Sequence, residues 1–189
     1  EPVEFSWTVS GKSISTTTFT GSLTAPSAAY FPFNLAEFYI DTSYAGIGGT
    51  QITDFLRGFT WTLETMFTPR FAANGSLAFA ALNEAPKMVT LEMVYYRDDT
   101  NYTGERTKYV NDTLFYPRIA LNSDTEMDSG EDNPEYIYLD GAFRYTEFPD
   151  YDDEDGTNMA TVTAESWYDT TASKMISVSV GTTMDDYAS

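Results

Sequence analysis

Carboxylates are the side chains of this chain most able to do chemistry. There are 29 Asp and Glu residues against 10 Lys and Arg, with no histidine and no cysteine. Two clusters stand out: Asp124, Glu126, Asp128, Glu131, Asp132 and Glu135, then Asp150, Asp152, Asp153, Glu154 and Asp155. Spaced oxygen ligands are what a hard cation such as calcium requires. A loop opening at Asp150 places Asp152 and Glu154 correctly, but its glycine comes one position late and Thr161 stands at the closing position. A loop opening at Asp124 gains Glu126, Asp128 and a closing Glu135, yet Gly130 is again late. Neither is an EF-hand. Both clusters read as solvated acidic loops, and no metal ligand is assigned.

Glycoside hydrolysis needs two carboxylates across a cleft, one with a raised pKa. Among 29 acidic residues some pair meets by chance in any fold, so no catalytic residue is singled out. The missing His and Cys remove the commonest general base, the thiol nucleophile and the soft metal ligands together. The chain reads as a non-enzyme without a cofactor.

Other candidates are weaker. Gly46, Gly48 and Gly49 lack the spacing and the strand-to-helix setting of a phosphate-binding loop. Asn74, Asn101 and Asn111 open N-x-S/T triplets, which a Ser- and Thr-rich chain produces by chance. Trp7, Trp61, Trp167, Tyr95 and Tyr96 could form a sugar platform, although strand-borne aromatics belong more often to a core or a subunit contact. Lys87, Arg97, Arg106, Lys108 and Lys174 are too scattered for a basic patch.

The net charge is −19 over 189 residues, while 42% of residues are hydrophobic and 16% aromatic. That aromatic content argues against an acidic disordered chain, and the length suits a single domain with a full core. An anionic surface repels the phosphate backbone, so no grip on nucleic acid is expected. No apolar run approaches the roughly 20 residues that span a bilayer, so no membrane partner is expected. No basic segment followed by an apolar one opens the chain as a signal peptide would. The start at Glu1, with a strand pattern already at Val3, leads to the expectation of one domain over residues 1–189 excised from a longer chain.

The elements are mostly β. Val3–Val9 alternates with period 2, and Lys12–Leu23 is β-branched with a bend at Gly21. Residues 26–32 read as a loop, Glu37–Asp41 as a strand, and Ala45–Gly49 as a flexible segment. Gln51–Phe67 is the longest strand pattern, with a kink at Gly58 and Phe59, Trp61, Leu63, Thr65 and Phe67 on one face. Ser76–Glu84 favours a short helix through its Ala and Leu content. Lys87–Arg97 is a strand, apolar at Val89, Leu91, Met93 and Tyr95. Glu105–Asn111 is a helix, and Leu114–Leu121 returns to β. Tyr136–Phe148 reads as one strand with a bulge at Gly141. Thr157–Tyr168 and Met175–Val180 read as a closing hairpin about a turn at Asp169–Ser173. Together they predict a mainly β fold: an antiparallel β-sandwich or barrel with one or two short flanking helices.

The order of these elements resembles a family. A bulged pair from Trp7 to Leu23 leads to the strand Phe55-Leu-Arg-Gly-Phe-Thr-Trp-Thr-Leu63, then Pro69-Arg70 and Lys87–Arg97. A helix near Glu105 precedes Phe115-Tyr-Pro-Arg-Ile-Ala-Leu121, followed by Tyr136-Ile-Tyr-Leu-Asp-Gly-Ala142 and Thr163–Val180. In this order the chain resembles the tail tube (major tail) proteins of long-tailed bacteriophages, over most of its length and in the C-terminal portion of that family. The likeness is one of pattern, with no diagnostic motif.

The resemblance implies a virion structural protein, assembled in the host cytoplasm, whose subunits form rings, usually hexameric. The rings stack into a hollow tube that encloses the tape-measure protein and meets other tail proteins. DNA passes through without specific binding during ejection. An anionic lining would let phosphates slide without adhering, which the charge allows. The alternative reading is an extracellular β-sandwich module that recognises a glycan or a host surface through its aromatics and acidic loops.

Overall fold

The computed structural model describes residues 4, 6, 30–64, 67–73, 80–84, 87–96, 99–126, 134–154 and 156–182. Its strands are β1 (Glu37–Asp41), β2 (Leu56–Glu64), β3 (Phe67–Arg70), β4 (Ala81–Glu84), β5 (Met88–Tyr96), β6 (Tyr116–Glu126), β7 (Pro134–Gly141), β8 (Phe143–Glu147), β9 (Asp152–Glu154), β10 (Thr157–Ser166) and β11 (Ile176–Gly181). One α-helix, α1 (Asp99–Val110), lies among the described residues. The strands β1-β6-β7-β11 form a first antiparallel sheet, and β2-β5-β10-β8 a second, with β9 beside β10. The ladder β3–β4 prolongs the β2–β5 hairpin, since Phe67 pairs Glu84 shortly beyond the Glu64–Met88 pair.

Period-2 alternation decides which side of each strand is buried. On β5, Val89, Leu91, Met93 and Tyr95 have no exposure, and their register partners on β10, Ala160, Val162 and Ala164, are buried with them. Phe38 and Ile40 of β1, Ile119 and Leu121 of β6 and Leu139 of β7 close the same core from the first sheet. Phe38 meets Tyr95 across the layers at a ring distance of 6.3 Å. Full burial of one such side chain stabilises by about 1.5–3 kcal/mol. This is a β-sandwich.

The small side chains on β10 leave room for large rings beside them. Tyr145 stacks on Phe115 at 4.2 Å, and Phe55 on Tyr95 at 4.2 Å. A buried polar chain ties α1 to this core. The Tyr145 hydroxyl donates to Glu105 Oε2 at 2.8 Å and lies 2.9 Å from the Tyr95 hydroxyl, while Lys108 reaches Glu105 Oε1 at 2.5 Å. Glu105 is buried, and this set of partners is what makes its burial tolerable. The helix ends at Asp112, which takes φ +49°. Thr113 N–H returns to Lys108 O and Asp112 N–H to Tyr109 O, the Schellman pattern that satisfies the last carbonyls.

Several expectations hold and several are corrected. Glu37–Asp41 is β1 as predicted, and Lys87–Arg97 contains β5. Gly58 sits at a register shift of β2. The expected strand Gln51–Phe67 is shorter: β2 starts at Leu56, because Asp54 adopts φ +58° and Gln51 instead bridges Tyr39. Residues 81–84, expected at the end of a helix, form β4, since a ladder with Thr68–Arg70 outweighs a propensity of a few tenths of a kcal/mol per residue. Asp124 and Glu126 lie in β6 and not in a loop.

Tyr136–Phe148 is not one strand. It changes sheets at Ala142, which is fully buried, and a Cβ on Gly141 would come 2.4 Å from the Phe143 ring. Phe143 then exchanges backbone hydrogen bonds with Phe115, stitching the two layers together. The closing segments are not a hairpin of paired strands. Beyond the turn bridged by Asp169 and Lys174, β11 crosses to β7 in the first sheet, because β5 and β8 already occupy both sides of β10. Of the Val3–Val9 pattern only Glu4 and Ser6 are described, exposed and outside any strand; Lys12–Leu23 lies outside the described residues.

Candidate assembly surfaces

Each sheet turns one side away from the core, and register shows which residues share it, because paired residues of an antiparallel ladder point the same way. On the second sheet the outward rows are Thr62–Thr90–Glu165–Arg144 and Thr60–Glu92–Thr163–Glu147, flanked by Glu64–Met88 and by Val94–Thr161. Glu64, Glu92, Glu147 and Glu165 are exposed, as are Thr60, Thr62 and Thr161. The cation in these rows, Arg144, stands at the margin, held by Asp112 at 2.6 Å and lying 4.6 Å from the Trp167 ring centre. The face is a field of threonine hydroxyls and unopposed carboxylates.

The first sheet presents Glu37–Ala120–Tyr138–Ser179, Tyr39–Arg118–Asp140–Ser177, Asn122–Tyr136–Gly181 and Asp41–Tyr116. Here the polar groups are used up on each other. Arg118 grips Asp140 through two hydrogen bonds of 2.8 Å, a planar fork that matches a carboxylate, and lies 4.8 Å from the centre of the Tyr138 ring. Tyr136 and Tyr138 stack at 4.2 Å, and Tyr39 donates to Glu37 at 2.7 Å. Burial, and next the Glu37 carboxylate, push the Tyr39 hydroxyl up to about 12. Burial also raises Tyr138, Tyr116 and Tyr44.

The loop after β1 folds back over this face. Gly48 and Gly49 both donate their N–H groups to Asp41, at 2.9 and 3.2 Å. The glycine-rich segment thus binds its own carboxylate and forms no phosphate cradle. Gly48 has φ +88°, and a Cβ there would meet the Arg118 guanidinium at 2.5 Å. Opposite, Asp169 accepts from the N–H groups of Ala172 and Thr171, which together with the Tyr116 hydroxyl hold its carboxyl below the usual range.

The acidic clusters named from sequence disperse. Asp150 pairs with Arg106, Asp152–Glu154 form β9, and Glu135 is buried in β7 beside the Thr182 hydroxyl at 3.2 Å. Asp128, Glu131, Asp132 and Asp155 lie outside the described residues. Among the described residues no group of three or more carboxylates gathers as a metal site would require.

The aromatics disperse as well. Tyr95 is fully buried, Trp61 packs edge-on to Phe143, and Tyr96 and Trp167 are exposed at different places; Trp7 and Arg97 lie outside the described residues. Asn101 sits within α1 and Asn111 just after it, with Asn74 outside the described residues. Among the cations, Arg106 is on Asp150, Lys108 on Glu105, Lys174 near the Tyr44 ring, and Lys87 is exposed before β5. Sequence reasoning missed the Tyr39–Tyr136–Tyr138–Arg118 cluster. Its signal was the pair of tyrosines two apart in β7, which a strand must place on one side. No helix among the described residues is long and apolar enough to cross a membrane.

No family model and no curated protein matches the chain. Among solved structures it is similar to a chain from the tail of an empty GTA particle, computed with helical refinement in C6 symmetry. The two are 14% identical, the match covers 76% of this chain and 95% of that one, and the TM-score is 0.43. A likeness of that degree assigns no role to this protein.

Proposed function

We propose that this chain is a structural subunit of a tube of the phage-tail type, with no catalytic role and no cofactor. Copies of it form rings, six to a ring as the family resemblance implies. The rings stack into a hollow conduit around a tape-measure protein, and the outward face of the second sheet lines the lumen. The protein then resides in the virion tail after assembly in the host cytoplasm.

The observation that supports this reading is the character of that face. Glu64, Glu92, Glu147 and Glu165 stand exposed across its strands among Thr60, Thr62 and Thr161. Carboxylates and short hydroxyls fill its central rows, while its cations stand at the margins, Arg144 held by Asp112 and Arg57 lying on Met159. Electrostatic grip on phosphates requires cations, and the central rows supply none. The face lacks exposed aromatic rings in its central rows, so unstacked bases would find no platform either. Negative-stain electron microscopy of the concentrated full chain tests the reading. Rings or hollow tubes are the expected outcome, and a uniform field of monomers at high concentration would overturn it.

A further inference from the structure

Self-association poses an electrostatic problem for a chain that carries a net charge of −19. Like-charged copies repel, so an uncharged surface is where they approach at least cost. Every described strand from β1 to β10 contains at least one charged residue, whereas β11, Ile176-Ser-Val-Ser-Val-Gly181, contains none. We infer that β11 is the strand through which one copy joins a second, by adding a strand of that copy to its outer edge. The inference rests on the self-assembly reading above and names the surface it would use.

Three features carry it. β11 ends the first sheet, paired to β7 on one side, and among the described residues no backbone hydrogen bond reaches its other side. The opposite end of that sheet is handled differently: β1 is covered by its own following loop, with Ile40 N–H on Thr50 O and Ile52 N–H on Phe38 O. Native edge strands are normally blunted by charge, proline or a bulge, and β11 shows none of these.

The side chains agree with the backbone. Val178 pairs with Leu139 and Val180 with Ile137, so both valines continue the inward, core-facing side of the sheet. Yet they are 52% and 60% exposed, so that side of β11 is left uncovered. An incoming strand would complete the hydrogen-bond ladder and cover this apolar overhang at once. β-Branched residues in an uncharged run are well suited to accept it.

The test uses the full chain in sedimentation velocity over a range of concentrations, at low and high NaCl. The wild type should associate, and more strongly at high salt, because salt screens the repulsion between acidic copies and leaves an uncharged contact intact. Val178→Glu combined with Val180→Glu should raise the concentration needed for association at least tenfold, with near-ultraviolet circular dichroism unchanged. Val110→Glu, at a 72% exposed position on α1, should leave association as in the wild type. Hydrogen exchange on the unaltered protein gives a second reading: β11 amides should slow on association.

If the wild type associates but the double variant does so equally, or β11 amides stay unprotected, the β11 contact is overturned and the tube reading stands. If the wild type remains monomeric at every concentration and salt, the self-assembly reading falls and the β11 contact with it.

Discussion

The outward faces of the two sheets have similar raw materials and opposite fates. Both bear carboxylates on strands of an acidic chain. On the first sheet Asp140 is buried under Arg118, Asp41 is wrapped by the N–H groups of Gly48 and Gly49, and Glu37 holds the Tyr39 hydroxyl. On the second, Glu64, Glu92, Glu147 and Glu165 stand in solvent between threonines. Carboxylate count therefore says little until partners are counted. A carboxylate that is forked, capped or hydrogen-bonded contributes to the fold, and one left in water contributes mainly to the surrounding field. The first face therefore stabilises the sandwich, and the second leaves its carboxylates to solvent.

Reversing the charge of the second face should produce the largest effect. Changing Glu64, Glu92 and Glu165 together to Lys should leave the protein folded, since exposed substitutions of this kind stay within about 0.5 kcal/mol each. The variant should retain duplex DNA at low salt and release it as salt rises, with a slope near −0.9 per phosphate neutralised. The wild type should not retain DNA under any of these conditions. Filter binding over a salt series measures both. Retention by the wild type would remove the repulsive role assigned to the face.

On the first face the large effect is on stability. Arg118→Ala would leave Asp140 buried without its partner, and stranding one member of such a pair costs about 3 kcal/mol. That is the lower end of the usual range, because Arg118 is itself about a quarter exposed (side-chain exposure 25%). Arg118→Lys should recover only part of the loss, because an ammonium cannot reproduce the two-pronged contact. Urea denaturation reads both variants. Losses under about 1 kcal/mol for Arg118→Ala would show that the two faces differ less than their hydrogen bonds suggest.

A smaller test concerns the packing of that face. A Cβ on Gly181 would lie 2.3 Å from the Tyr136 ring, so Gly181→Ala must displace the ring from its stack on Tyr138. Overpacking costs about 1–3 kcal/mol. The half-exposed Tyr136 can yield, so about 1 kcal/mol is expected by thermal or urea unfolding. Thr60→Ala, on the other face, should be nearly neutral by comparison.

Much of the fold was legible because period-2 patterns are local. Val89, Leu91, Met93 and Tyr95 announce their burial by spacing alone, and Glu37–Asp41 announces its ends. What was not legible is what partners decide. Nothing local in Thr157–Val180 says that β10 and β11 enter different sheets. That outcome depends on β5 and β8 flanking β10, strands distant in sequence. Likewise the alanines of 78–81 carry a helical preference that only the presence of β3 overrides at residue 81. The acidic clusters were visible as composition, but which carboxylates are neutralised depends on Arg118, Arg106 and the glycines of 48–49. None of these stands beside its partner in the chain. The surface pattern of the second sheet was half visible, since Thr60, Thr62 and Glu64 alternate with the apolar residues of β2. The rows became a face only when β5, β10 and β8 were aligned.

The smallest effect separates the faces by titration. The outward rows of the first sheet hold Tyr39, Tyr116 and Tyr138, all with hydroxyls raised chiefly by burial, Tyr39 to about 12. The Thr and Glu rows of the second sheet hold no tyrosine. A hydroxyl whose folded pKa lies above its unfolded value favours the folded state fully below the unfolded pKa, near 10. That contribution is lost as pH rises through the folded value. Stability should therefore be flat approaching pH 10 and fall between about 10 and 12, as unfolded tyrosines ionise while those of the first face, together with Tyr95 and Tyr145 buried in the core, resist. Tyrosinate absorbance should lag in the native protein and appear in step with unfolding. Tyr39→Phe should shallow this alkaline fall slightly and leave stability at neutral pH within about 1 kcal/mol, the scale of one hydrogen bond near the surface. Early, reversible ionisation of these hydroxyls in the folded protein, with no loss of structure, would mean that the first face is as open to water as the second, and the contrast between them would be lost.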